Sequence, residues 1–151
     1  MKEEENVGLD SRLLAMICRL VRQRTQVELE KLGLHLGQDL ILFVLWETEG
    51  ITQSELAERV YIKPPTLART LNHMEQNQII RRETDPDDKR LERVYLTEKG
   101  AGSKAAILNI WQKGEAELFA GFDEDERTTC QSFLRKMYFN LFAYSEDGLQ
   151  S

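Results

Sequence analysis

Two consecutive prolines, Pro64 and Pro65, interrupt a stretch whose apolar spacing is otherwise helical. Proline lacks the amide proton and clashes with the preceding turn, so a helix can begin with the pair but cannot run through it. Residues 52–78 must therefore divide into two helices with a tight connection. Upstream, Thr52 and Glu55 form a capping box that opens "TQSELAERV", with Leu56, Ala57 and Val60 on one face. Downstream, "PPTLARTLNHMEQNQ" sets Leu67, Leu71 and Met74 in one stripe and Thr66, Arg69, Thr70 and His73 in another. A short capped helix followed by one with a polar outward stripe is helix-turn-helix organisation.

The rest of the chain arranges itself around this unit. Residues 1–8 are acidic and aperiodic, and predict a loose end. From Leu9, the residues Leu13, Met16, Ile17, Leu20 and Val21 recur at helical spacing, and a stop is expected near Gly33. "GQDLILFVLWETEG" is apolar on almost every face, which predicts a buried central helix closed by Gly50.

After the helix-turn-helix, "IIRRET" and "RVYLT" read as two strands around an acidic turn holding Asp85, Asp87 and Asp88. Thr97 can cap a fifth helix with Ile107, Leu108, Trp111 and Leu118 facing a partner, weakened by Gly102 and Gly114. Asp123 and Glu126 open a sixth, with Cys130, Phe133, Leu134, Met137, Tyr138 and Leu141 on its apolar stripe; the tail from Ser145 should fray. The expected fold is mainly α, a winged helix-turn-helix with a small β-hairpin wing and a lobe of N- and C-terminal helices.

Composition excludes several alternatives. The net charge of −6 argues against coating nucleic acid by bulk charge. Charge distribution is more informative: residues 61–82 carry four cations (Lys63, Arg69, Arg81, Arg82) against Glu75, a local +3 that leaves −9 elsewhere. A small basic face on an acidic body can still bind phosphate. Two cysteines are too few for a disulfide framework, no secretory leader is visible, and the longest apolar run, Leu40 to Trp46, is far short of the roughly 20 residues that cross a bilayer. A soluble cytoplasmic protein is expected. With two histidines, no nucleophile elbow, no phosphate-cradling glycine loop and no metal-ligand spacing, an enzyme is not.

The order of elements resembles the MarR family of winged helix-turn-helix regulators. The residues that carry the resemblance are Gln53, Glu55, Leu56 and Ala57 in the third helix and "TLARTLNHME" in the fourth. It continues through Ile79, Ile80 and Arg82 before the wing, Asp88 and Arg90 within it, and Leu96-Thr97 with Gly100 after it. The resemblance implies a homodimer in which the first, fifth and sixth helices intertwine, with residues 1–34 and 100–151 as the dimerisation region and 35–99 as the DNA-binding domain. Each recognition helix and wing would meet a half-site of an inverted repeat in double-stranded DNA. It also implies a repressor relieved by a small apolar or phenolic effector, with no cofactor. Two positions depart from the family's pattern. Gln78 stands where a glycine usually ends the recognition helix, and Ser11 stands near where peroxide-sensing members carry a reactive cysteine.

Candidate site residues follow from both sources. Thr66, Arg69, Thr70 and His73 are spaced to face one groove, where arginine suits guanine edges or phosphate and threonine a base or a thymine methyl; alone, such a stripe is more often a solvated face. Thr52, Gln53, Ser54, Lys63 and Pro65 would position the unit on phosphate, and Lys89 with Arg90 at the wing tip would reach a minor groove. Asp88 is expected to clamp the wing by pairing with Arg82 or Arg69, while Asp85 and Asp87 point to water. The three aspartates lack the glycine and distal glutamate of a calcium loop, so no metal is expected. Met16, Ile17, Phe43, Trp46 and Trp111, with His35 as a polar handle, are the candidate effector pocket, core packing being the alternative. Cys130 reads as core. Cys18, with Arg19 and Arg22 nearby, leaves a redox-responsive regulator as one alternative, and a winged-helix module that binds protein instead of DNA as another.

Overall fold

The structure, a computed structural model, describes residues 8–148, so the extreme ends expected to be loose lie outside the described residues. Helix α1 spans Leu9–Glu30 and α2 Gln38–Glu47; a two-residue strand β1, Ile51–Thr52, leads into α3, Gln53–Val60. Helix α4 is Pro64–Gln76, with both prolines in its first turn. Strands β2, Ile80–Thr84, and β3, Glu92–Leu96, form the hairpin. Then come α5, Glu98–Gly102, α6, Lys104–Leu118, and α7, Glu124–Gly148. Helix α7 thus continues past Ser145, where fraying was expected.

The strand β1 was not foreseen, because two residues have no period to read. It pairs with β3 (Ile51 opposite Val94), giving an antiparallel sheet in the order β1-β3-β2. Val94 also faces Arg82 across β2, so the wing is held from both sides of its central strand. The fifth helix is broken at Ser103. Its hydroxyl donates to the Gly100 carbonyl at 2.7 Å, occupying the acceptor that a continuous helix would offer to Lys104.

The chain folds as two compact units, the first running to Gly114 and the second beginning at Glu115. In the first, α2 is the central post: Ile41, Leu42 and Leu45 are at most 1% exposed. Around it pack Leu29 of α1, Leu56 of α3, Leu67, Leu71 and Met74 of α4, Ile80 and Val94 of the sheet, and Ile107 of α6. Each such side chain contributes about 1.5–3 kcal/mol when fully buried. In the second unit, Asp123 and Glu126 close their capping box reciprocally, at 2.8 and 3.0 Å. The apolar stripe of α7 is not core, however. Phe133, Leu134, Met137, Tyr138 and Leu141 are exposed and Cys130 is only half-buried, since no described residue of this unit covers them.

Both helices of the helix-turn-helix end on a non-glycine residue in the left-handed region, Tyr61 at φ 52° and Gln78 at φ 59°. Each completes the same closure: Ile62 N–H donates to the Ala57 carbonyl at 3.1 Å, and Ile79 N–H to that of Met74 at 2.9 Å. A side chain in this region costs about 1 kcal/mol relative to glycine. Gln78→Gly should therefore stabilise the protein by about that amount and raise Tm by about 2–4 °C in calorimetry; a lowered Tm would show that the Gln78 side chain offsets its own strain.

Candidate nucleic-acid interface

Helix α4 begins at exposed Lys63, Pro64 and Pro65 and presents Thr66 and Arg69 to solvent. Arg69 has no hydrogen bond or ion pair among the described residues, so its guanidinium is available to an anion or a base edge. Thr70 is half-buried, and its hydroxyl donates to the Thr66 carbonyl at 3.1 Å. His73 does not join this face. Its ring is half-buried against His35, with centroids 5.2 Å apart, and Nδ1 lies 3.1 Å from Gln38 Nε2. The exposed polar stripe is thereby confined to the first half of the helix.

On α3, Thr52 is committed to the capping box: its hydroxyl donates to Glu55 Oε2 at 2.7 Å and accepts from the Glu55 N–H at 3.3 Å. Gln53 donates to the Glu92 carboxylate. Of these three residues, only Ser54 is exposed and without a partner among the described residues.

The wing is clamped differently from the expectation. Asp85, 5% exposed, is the buried aspartate. Its Oδ1 accepts from the N–H groups of Asp87 at 2.8 Å and Asp88 at 2.9 Å, and its Oδ2 accepts from Arg93 Nε. Arg93 in turn donates to the Gly50 carbonyl at 2.7 Å, tying the wing loop to the turn before β1. Asp88 does not reach Arg82 or Arg69; it holds Arg90, its neighbour two residues on, by two bonds of 3.0 and 2.9 Å. Arg82 belongs to another set: it donates to Glu75 at 2.6 Å and to Asn72 at 2.7 Å, joining β2 to α4.

The missed clamp had a local signal. Asp85 precedes Pro86, and Asp-Pro is a turn-initiating pair whose carboxylate bonds the backbone two residues on. Its arginine lies across the hairpin and has no such signal.

These pairings set the electrostatics. The Asp88 and Asp87 N–H groups, with the Arg93 guanidinium, hold the Asp85 carboxyl below the usual aspartate range, and Arg90 does the same for Asp88. A carboxylate with a depressed folded pKa contributes stability that is present above its unfolded value and lost as pH falls through the folded one. The wing clamp is therefore constant at neutral pH and fails only in acid. Asp85→Ala should speed amide exchange at Asp87 and Asp88 while leaving the amides of α4 protected; unchanged exchange at both would remove the clamp assignment.

Arg82 is neutralised by Glu75, and Arg81 pairs with Glu83 while its guanidinium lies 4.6 Å above the Tyr95 ring. Among the described residues, the local positive charge without a partner acid thus reduces to Lys63 and Arg69 on the helix and Lys89 at the wing tip; Arg90 beside it is paired with Asp88, though its side chain is 89% exposed.

The candidate pocket residues are only partly brought together. Phe43 meets Trp46 and Trp111 edge-on at 5.3 and 5.9 Å. The Trp111 indole donates to Asp39 at 3.1 Å, and burial pushes that carboxyl up against the opposing pull of the Gly37 N–H and Trp111. Met16 and Ile17 are exposed on α1, and His35 turns to His73 instead of the aromatic trio. Cys18 and Cys130 are free thiols. Among the described residues, no three His, Cys, Asp or Glu are grouped to hold a metal ion, and no helix is long and apolar enough to cross a membrane.

Comparison with known proteins agrees with this geometry. The MarR family model matches residues 34–91. The organic hydroperoxide resistance transcriptional regulator of Bacillus subtilis is 31% identical over 109 residues, 70% of this chain and 74% of the relative. A MarR transcriptional regulator from Methanosarcina mazei Go1 superimposes with a TM-score of 0.83 at 26% identity, over 91% of this chain and 99% of that one. The S. aureus MepR–DNA complex does so with 0.80 at 26%, over 86% and 96%. These relatives are regulators and not enzymes, and the chain belongs to the MarR family of DNA-binding transcriptional regulators.

Proposed function

We propose that the protein is a homodimeric repressor that binds a pseudo-palindromic operator with half-sites about one helical turn apart. The observation that carries this reading is the exposed first half of α4, where Thr66 and unpaired Arg69 follow Lys63, beside a wing tip bearing Lys89 and Arg90. Ser54 and Pro65 adjoin this face. In this reading residues 35–99 form the DNA-binding domain, and residues 1–34 with 100–151 form the dimerisation region. Support for a dimer comes from two helices taken separately: α1 exposes Leu13, Met16 and Leu20, and α7 exposes Phe133, Met137 and Leu141. Apolar rows of this length are normally covered by a partner.

Relief of repression by a small apolar or phenolic ligand is supported by the Phe43, Trp46 and Trp111 trio, which links α2 to α6. A ligand that favours one arrangement of these helices shifts the spacing of the two recognition helices.

Selection of bound duplexes from random DNA, followed by electrophoretic shift with full and half sites, tests the operator. An enriched inverted repeat is expected, bound by one dimer, with affinity falling steeply as salt is raised. Recovery of no enriched sequence, or a monomer in sedimentation at micromolar concentration, would overturn the reading.

A further inference from the structure

The segment between α1 and α2, residues 31–37, has no helix or strand and carries Gly33 and Gly37, a composition that predicts a pliable linker. It is not built as one. Each backbone N–H from Leu32 to Gln38 has an acceptor. Those of Leu32 and Leu34 donate to the Leu29 carbonyl, that of Gly33 to Glu30 and that of Gln38 to His35, at 2.9–3.0 Å. The three amides between are taken by side chains: Gln38 Oε1 accepts from the His35 N–H at 3.0 Å, Gln26 Oε1 from Leu36 at 2.7 Å and Asp39 Oδ1 from Gly37 at 3.0 Å. Gln38 is 3% exposed and Asp39 1%, and Leu34, at 2%, seats the segment in the core. An irregular segment whose amides are all satisfied, three of them by side chains, has no need of water to complete its hydrogen bonds.

The same three side chains reach three helices. Gln26 belongs to α1, Gln38 Nε2 lies 3.1 Å from His73 Nδ1 of α4, and Asp39 Oδ2 accepts from the Trp111 indole of α6 at 3.1 Å. We propose that residues 31–37 form a rigid strut holding α4 at a fixed place relative to α1, with Gln26, Gln38 and Asp39 as its positioning residues, and that this rigidity makes the protein demand one spacing between the half-sites of its operator. The inference rests on the reading of the protein as a dimer that presents α4 to each half-site, with α1 in the dimerisation region. One base pair added between half-sites moves one of them by about 3.4 Å and turns it by about 35° around the duplex axis. A pliable linker would let α4 follow at little cost. A strut does not, so the second half-site is reached only by breaking buried hydrogen bonds or by deforming the DNA.

The test uses an inverted repeat selected by the full chain, remade with one base pair added or removed between the half-sites, and reads the ratio of affinities within each protein. For the wild type, the altered spacers should weaken binding on the order of tenfold or more. Gln26→Met and Gln38→Met together replace both amides with unbranched apolar side chains of similar length and leave the Leu36 and His35 N–H groups without acceptors. In this double variant the spacer penalty should shrink severalfold. The ratio is insensitive to a uniform loss of affinity, so a role limited to stability leaves it at the wild-type value, and melting curves verify folding. A second measurement needs neither DNA nor a variant: in the wild type, the amides of His35, Leu36 and Gly37 should exchange orders of magnitude more slowly than in an unstructured chain. Equal wild-type affinity for the altered spacers, an unchanged or larger penalty in the double variant, or exchange of the three amides at unstructured-chain rates each overturns the inference. Failure of the wild type to select any inverted repeat instead removes the dimeric operator reading, before a spacer is altered, and this inference with it.

Discussion

Gly100→Ala should cost about 3 kcal/mol or more and lower Tm by about 6–12 °C. A β-carbon built at Gly100 would stand 2.1 Å from the Ile79 carbonyl oxygen and 3.2 Å from the Leu96 side chain. The oxygen is backbone and cannot step aside as a rotamer can. It is also in use: the Thr97 N–H donates to it at 3.1 Å and the Thr97 hydroxyl at 3.0 Å. The same hydroxyl accepts from the Gly100 N–H to cap α5, and the Gly100 carbonyl accepts from the Trp46 indole at 3.4 Å. Moving Gly100 therefore disturbs the cap of α5, the entry to β2 and the side of α2 together. Thermal denaturation of the variant is the measurement, and a Tm within about 2 °C of wild type would show that the helix can shift at little cost.

Arg69→Ala should reduce affinity for a selected operator by about ten- to a hundredfold and relax base preference at the position it reads, without loss of the dimer. Among the described residues no acid pairs with this guanidinium, so the substitution frees no buried partner. Arg90→Ala should behave differently. Its loss should weaken binding most where the wing faces A/T-rich DNA, whose narrow minor groove attracts arginine. Quantitative shift assays against operator variants, with sedimentation as the control for assembly, separate the two effects. Wild-type affinity in both variants would remove α4 and the wing tip as the DNA-contacting surfaces.

Much of the fold was legible because its signals are local. The proline pair, the two capping boxes and the saturated apolar run of α2 each state a boundary or a burial within a few residues, and each stands where expected. Gln78 had to adopt a left-handed conformation if the helix was to close in the usual way, and it does. What could not be read lies in pairings across the sheet and between elements. Arg93 meets Asp85 across the hairpin, Arg82 meets Glu75 from strand to helix, and β1 is too short to carry a pattern. His73 shows the limit most clearly. Seven residues after Thr66, it shares nearly the same azimuth on α4. Periodicity gives that direction but not what covers it, and only the later turn lies beneath Gln38 and His35.

The pairing of Asp88 with Arg90 has a consequence for how this protein would search a genome. A cation that travels with its own anion is close to a dipole, and the field of a dipole fades faster with distance than that of a charge. On arbitrary DNA Arg90 would then add little grip beyond that of Lys89, and the molecule could leave quickly or move along the duplex. Only at close range, where a narrow groove offers a stronger negative potential than one carboxylate, does the guanidinium gain by changing partners. The wing would thus discriminate through residence time more than through first encounter, with Asp88 as the competitor each candidate site must outbid.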